Sequence, residues 1–138
     1  MKKRFYLDTS AYLCILLGEA GHVRLMRETA GAQLLSSVVL VLEACRNLIR
    51  LSREGILSAA DFQRCVSALE SDMEQFILRD LTLDLCGCAP MPVVSVPRSL
   101  DLAHLRTALW FHQQERLTRF VTLDGSQRAA AREIGLPV

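Results

Sequence analysis

Two stretches of this chain put an aspartate where an apolar run gives way to small polar residues: RFYLDTSAYL, which holds Asp8, and RFVTLDGSQ, which holds Asp124. An acid in that setting has two uses. It caps the following helix by accepting hydrogen bonds from free N–H groups, or it offers oxygen ligands to a hard cation at the carboxyl end of a buried strand. Two further acids raise the same choice. Asp101 falls in the first turn of a helix, where negative charge answers the positive helix end. Glu43 shares a helical segment with Asn47 and Arg50, at spacings that allow surface pairing. Taken singly, each acid has an ordinary structural explanation.

The elements that must position these acids follow from periodicity and punctuation. Residues 4–7 read as a short buried strand, and SAYLCILLG as a helix stopped by Gly18. A helix over about 20–30 is closed by Gly31, and AQLLSS is the next strand. From Ser37 to Arg53, Val38, Val41, Leu42, Cys45, Leu48 and Ile49 keep helical spacing, with Glu43, Asn47 and Arg50 on the other side. LSAADFQRCVSALESDM is a helix capped by Ser58, QFILRDL a strand, and 82–88 a short helical segment. APMPVVSVP, with three prolines, is a loop. Ser99 then caps a helix to about Gln114, RFVTLD is a strand ending on Asp124, and a helix over about 126–134 stops at Gly135. LPV offers a terminal edge strand. Strands separated by helices argue for one α/β domain over 1–138, its parallel sheet flanked by helices on both faces. Strands that end on Asp8 and Asp124 set two carboxylates on one rim of that sheet, where ligands of such sheets bind.

The chain of 138 residues is long enough to bury a proper core, and 51% hydrophobic with 22% charged residues is a globular composition. Its longest apolar runs are too short to span a membrane and no secretory signal is visible, so the expected location is the cytoplasm. Five cysteines leave one unpaired in any disulfide scheme, and Cys14, Cys45 and Cys65 lie in apolar helical patterns that suit reduced thiols. Cys86-Gly87-Cys88 lacks a second Cys or His pair at zinc spacing. A net charge of +1 neither demands nor excludes nucleic acid.

YLDTSAYL, SSVVLVLEACR, SLDLAHLRTAL and FVTLDGSQRAAAREIGLPV occur in the order found in PIN-domain ribonucleases. The chain resembles that family along nearly its whole length, and in particular the small VapC-type toxins of toxin–antitoxin pairs. The resemblance implies a PIN-like three-layer fold and a metal-dependent endoribonuclease. It makes Asp8, Glu43, Asp101 and Asp124 the acidic cluster that binds Mg²⁺, or Mn²⁺ as a substitute, and cuts RNA. Carboxylate oxygens suit Mg²⁺, and a bound cation polarises the scissile phosphate and acidifies an attacking water.

By the same resemblance Ser10 and Thr122 are polar neighbours of the acids, against plain helix capping for Ser10 and a satisfied strand position for Thr122. His104 lies one helical turn beyond Asp101, either facing the site or packed as an ordinary helix residue. Arg46 and Arg50 lie near Glu43, as phosphate contacts or as solvated charge. The expected partners are RNA, a cognate antitoxin with an arginine for the acidic cleft, and a second copy of the chain, joined through helical faces near 10–17 and 58–72. LDLCGCAPMPVVSVPRSLD departs from the family pattern, since Gly87 and three prolines interrupt the helix before the third acid.

Two other readings compete. A phosphatase using Asp8 as a covalent nucleophile expects a second Asp two residues on, where Ser10 stands, and a lysine partner, yet no lysine follows Lys3. A PIN-like module that binds RNA or protein without cutting expects a missing acid, and all four are present.

Overall fold

The structure, a computed structural model, describes residues 1–87, 93–95 and 98–138. In chain order the elements are β1 (Arg4–Leu7), α1 (Thr9–Leu17), α2 (His22–Thr29), β2 (Gln33–Ser37), α3 (Val39–Arg53), α4 (Ala59–Gln75), β3 (Ile77–Arg79), α5 (Leu83–Cys86), α6 (Ser99–Gln114), β4 (Arg119–Val121) and α7 (Gly125–Glu133). The strands form one sheet in the order β3-β2-β1-β4, and every pairing is parallel. This is the α/β architecture the alternation of strands and helices predicts.

All four residues of β1 are buried, as a central parallel strand covered on both faces requires. Its side chains alternate between two cores. Tyr6 joins Leu35, Phe120 and the α6–α7 residues Leu105, Ala108, Phe111, Ala130 and Ala131 on one face. Phe5 and Leu7 join Ala11, Cys14, Leu25 and Val121 beneath α1 and α2 on the other. A third cluster, around Tyr12, Leu40, Ala44, Leu48, Cys65 and Leu69, locks α3 and α4 onto α1. Tyr6 stacks on Phe120 with ring centroids 5.4 Å apart and planes 9° from parallel. Such a pair contributes about 0.5–1.5 kcal/mol beyond its buried area and fastens β1 to β4.

Gly18 ends α1 in the left-handed region at φ 65°, its N–H returning to Cys14 and Ile15, as the sequence expects of a glycine stop. Ser58 caps α4 through a hydrogen bond from the Asp61 N–H. Elsewhere the boundaries shift. α6 starts behind Arg98, with no side-chain cap, so Ser99 is its first helical residue and not its cap. β4 ends at Val121, so Asp124 belongs to the connection that caps α7 and not to the strand. The terminal LPV forms no strand: it returns one bond, from the Phe120 N–H to the Pro137 carbonyl at 2.7 Å, which covers the outer edge of β4.

The stripe expected on α3 is also rotated. Its buried residues are Val39, Leu40, Ala44 and Leu48, whereas Leu42 and Ile49 face solvent at 69% and 53% exposure. Cys14, Cys45, Cys65 and Cys86 are free thiols. Cys88 and most of the proline-rich loop lie outside the described residues. No described helix is long and apolar enough to cross a membrane.

Candidate active site

The chain runs from β1 to β2 on one side of the sheet and later places β4 on the other side of β1. The strand order therefore reverses between β1 and β4, and a crevice opens at the carboxyl ends of strands at such a switch point. Asp8 leaves β1 at this crevice, and Thr122, Leu123 and Asp124 leave β4 there. The ladder runs one step past the strands, with the Asp8 N–H bonded to the Val121 carbonyl at 3.1 Å.

Asp8 is 4% exposed and densely bonded. Its Oδ1 accepts from the Ser10 hydroxyl at 2.7 Å and the Ala11 N–H at 3.1 Å. Its Oδ2 accepts from the Thr122 hydroxyl at 2.5 Å. Asp8 is thus the cap of α1, and it is more than that. A carboxylate offers about four acceptor directions, so three donors leave one, on Oδ2. Burial pushes the carboxyl upward in pKa, and the hydrogen bonds from Thr122, Ser10 and Ala11 oppose that shift.

Ser10 does not cap a helix, contrary to one of its two readings. It donates to Asp8 and accepts from the Leu123 N–H at 2.9 Å. Thr122 donates to Asp8 and accepts from the Asp124 N–H at 3.1 Å. The two hydroxyls therefore bind the β1–α1 and β4–α7 connections into one unit around a single carboxylate. Arg128 closes the same unit by donating to the Thr122 carbonyl at 2.8 Å.

Asp124 caps α7, its Oδ1 accepting from the Ser126 and Gln127 N–H groups at 2.8 and 3.3 Å. Its other oxygen is left toward solvent, for the residue is exposed. Asp101 stands half-buried in the first turn of α6. Burial raises its carboxyl pKa, and the negative charges of Asp124, Glu43 and Asp8 raise it further against the pull of Arg98. Asp101 thus lies within electrostatic reach of the three other acids.

For Glu43 the structure departs from the surface-pairing alternative. Instead of lying on a solvated helix face beside Asn47 and Arg50, its side chain is 20% exposed and turns toward α6. Its Oε1 accepts from the Thr9 hydroxyl at 2.7 Å and from His104 Nε2 at 2.9 Å. Burial works against its charge, but the His104 and Thr9 hydrogen bonds outweigh burial and hold the carboxyl below its ordinary pKa. Asn47 donates to the Glu43 backbone carbonyl instead of the side chain. Arg50 reaches Glu54 and Asn47 on the open face of α3, away from the acids. Arg46 is exposed, close enough for its charge to act on Glu43.

Three contributors escaped the sequence reading. Thr9 and Tyr6 flank Asp8 one and two positions away; Thr9 bonds Glu43 and His104, and Tyr6 bonds His104. Gln127 is fully buried and donates from Nε2 to the Asp101 carbonyl at 2.9 Å. Its signal was present: Asp124-Gly-Ser-Gln127 has the spacing of a capping box. In that motif the Gln side chain returns to the cap N–H. Here Thr122 already occupies the Asp124 N–H, and Gln127 is freed to tie α7 to α6.

Among the described residues no group of three or more His, Cys, Asp or Glu side chains stands close enough together to hold a metal ion. An all-oxygen anionic donor set of this kind fits Mg²⁺ or Mn²⁺, because Mg²⁺ keeps several waters and takes only one or two carboxylates directly. Of the acids here, one or two of Asp8, Glu43, Asp101 and Asp124 would suffice to hold such an ion, with waters completing its shell.

No protein-family model matches the chain, and no curated protein matches it. Among solved structures it is similar to the VapC20 toxin of Mycobacterium tuberculosis, described as cleaving the sarcin–ricin loop, with TM-score 0.58 and 14% identity over 91% of this chain and 94% of that one. A likeness of that extent at that identity is one of fold, and the fold of this chain is the PIN-like three-layer α/β fold.

Proposed function

We propose that this protein is a divalent-metal-dependent endoribonuclease and the toxin of a toxin–antitoxin pair. The observation that carries the reading is Asp101, at the switch point of the sheet, whose carboxyl is pushed up by burial and further by the charges of Asp124, Glu43 and Asp8. Acids that raise one another's charge cost in this way, offset only in part by Arg98 and Arg46, invite a cation. The fold shared with a sarcin–ricin-loop-cleaving toxin supports RNA as the substrate.

A divalent cation bound there would supply positive charge beside a scissile phosphate and acidify a water for attack. The chain does the rest. Ser10, Ala11 and Thr122 hold Asp8 with one acceptor direction unspent. Glu43, fixed through Oε1 and held below its ordinary pKa against burial by His104 and Thr9, keeps Oε2 free as an acceptor for a water. Asp101, in the first turn of α6, and Asp124, the cap of α7, are tied to one another through the Gln127 hydrogen bond to the Asp101 backbone carbonyl.

A cognate antitoxin would silence the enzyme by inserting an arginine among these carboxylates. The protein would act in the cytoplasm and pair with a second copy of the chain through α1 and α4, where Leu13, Leu16, Leu17, Phe62, Val66 and Met73 pack against the third core cluster and are only partly buried by it.

The test is cleavage of a sarcin–ricin-loop hairpin and of unstructured RNA by purified protein, with Mg²⁺ or chelator, beside Asp8→Asn. Metal-dependent cutting by the wild type alone is expected. RNA bound but uncut with metal present would favour the binding module. A trapped aspartyl-phosphate would favour the phosphatase, which Lys2 and Lys3 at the far, amino end of β1 do not support.

A further inference from the structure

We infer that His104 is a positioning residue for Glu43, holding that carboxylate through one oxygen so that the other stays turned to the acidic crevice. The inference rests on the metal-site reading above and adds to it a residue that never meets substrate, since His104 is 2% exposed.

A carboxylate only accepts hydrogen bonds, so His104 Nε2, at 2.9 Å from Glu43 Oε1, carries a proton and donates it there. Thr9 donates to the same oxygen at 2.7 Å. Two donors on Oε1 settle the torsions of a side chain that would otherwise rotate freely, and no described residue donates to Oε2. The ring is itself held from behind. The Tyr6 hydroxyl meets Nδ1 at 2.8 Å, and the Tyr6 ring lies edge-on to the imidazole with centroids 5.8 Å apart. Tyr6 is fully buried and stacked on Phe120, so the support is rigid.

The line Tyr6–His104–Glu43 therefore joins β1, α6 and α3 through side chains alone. It starts two residues before Asp8 and crosses α6 one turn beyond Asp101. An acid on α3 is thereby referred to the same strand and helix that carry two of the others. Partners of this kind typically account for tenfold to a hundredfold in metal affinity or activity.

The experiment is a Mn²⁺ titration by calorimetry on the full chain, with thermal melts to confirm folding. The variants are His104→Leu, His104→Gln, Glu43→Gln, the pair Tyr6→Phe with His104→Leu, and the pair Glu43→Gln with His104→Leu. His104→Leu should weaken Mn²⁺ binding about tenfold or more. Pairing it with Tyr6→Phe, which removes the stranded hydroxyl, should recover stability without recovering affinity. His104→Gln, which keeps an N–H donor, should restore part of the affinity. In the Glu43→Gln background His104→Leu should cost nothing further, because the two act as one unit. Unchanged Mn²⁺ affinity in folded His104→Leu, or an undiminished further loss in the Glu43→Gln background, would overturn the inference. A wild type that takes up no Mn²⁺ would overturn the metal site itself, and the inference with it.

Discussion

Gln127 Nε2 donates to the Asp101 backbone carbonyl at 2.9 Å, so the helix capped by Asp124 is pinned to the helix whose first turn holds Asp101. Gln127→Leu fills the space but cuts the pin. A lost hydrogen bond of this type costs about 1 kcal/mol, and displacement of a catalytic group by about an ångström can cost a hundredfold in rate. The variant should lose about 1 kcal/mol in urea melts and at least about tenfold in RNA cleavage. Lost stability with full cleavage would make the pin structural alone.

Asp8→Asn separates charge from capping. The Asn carbonyl oxygen can keep the Ser10 and Ala11 bonds, while its amide faces Thr122, whose hydroxyl can reverse from donor to acceptor. The melting temperature should fall little. RNA cleavage at saturating Mg²⁺ should drop at least about a hundredfold, since metal placement is worth several kcal/mol in the transition state. A fully active Asp8→Asn protein would return Asp8 to the role of a cap.

Asp101→Asn removes the acid that burial and its three negative neighbours disfavour. In chelator the variant should melt about a degree or two above wild type, the scale of a partly exposed charge interaction. Added Mn²⁺ should stabilise the wild type more and close or invert the gap, because a ligand of the folded state alone stabilises it. A wild type that stays less stable at every metal concentration would count against Asp101 as a ligand.

His112 gives the pH dependence a marker away from the acids. Burial, with the charges of Arg116 and Arg4, holds its pKa below the ordinary value, and its Nδ1 accepts from the Leu117 N–H at 3.0 Å. The folded state therefore binds this proton less readily than the unfolded chain. The stability it contributes is complete above the unfolded pKa of about 6.5 and is lost as pH falls through the lower folded value. His112→Asn keeps an acceptor for Leu117 without titrating. The melting-temperature advantage of wild type over His112→Asn should shrink between about pH 7 and pH 5. A constant difference would show that His112 is not responsible.

How much of this was legible beforehand depends on the range over which each cause acts. Asp8 and Asp124 were readable as rim acids because the sequence shows an apolar run, an acid and a helix start side by side, and those are local causes. Ser10 was readable as a neighbour of Asp8 because two positions into a helix a hydroxyl still reaches its cap. The glycine stop at Gly18 and the cap at Ser58 were local in the same sense.

The stripe of α3 was misread, and the side to which Glu43 turns could not be read from it, because periodicity defines the faces of α3 but not which face meets which neighbour. That choice came from α6, 61 residues away, through His104. The exposed Leu42 and Ile49 and the inward Glu43 are one rotation of the same helix, decided by packing against α1, α4 and α6. Gln127 shows the same limit: its spacing from Asp124 marked a capping box, and only the arrival of Thr122 at the Asp124 N–H sent its side chain to Asp101. The sequence by itself determined the order of the elements, the parallel sheet and the acids at the strand ends, because each follows from neighbouring residues. Tertiary structure alone decided which way Glu43 turns, what His104 and Gln127 hold, and how the four acids sit toward one another, because those bonds form only when strands and helices far apart in the chain come into contact.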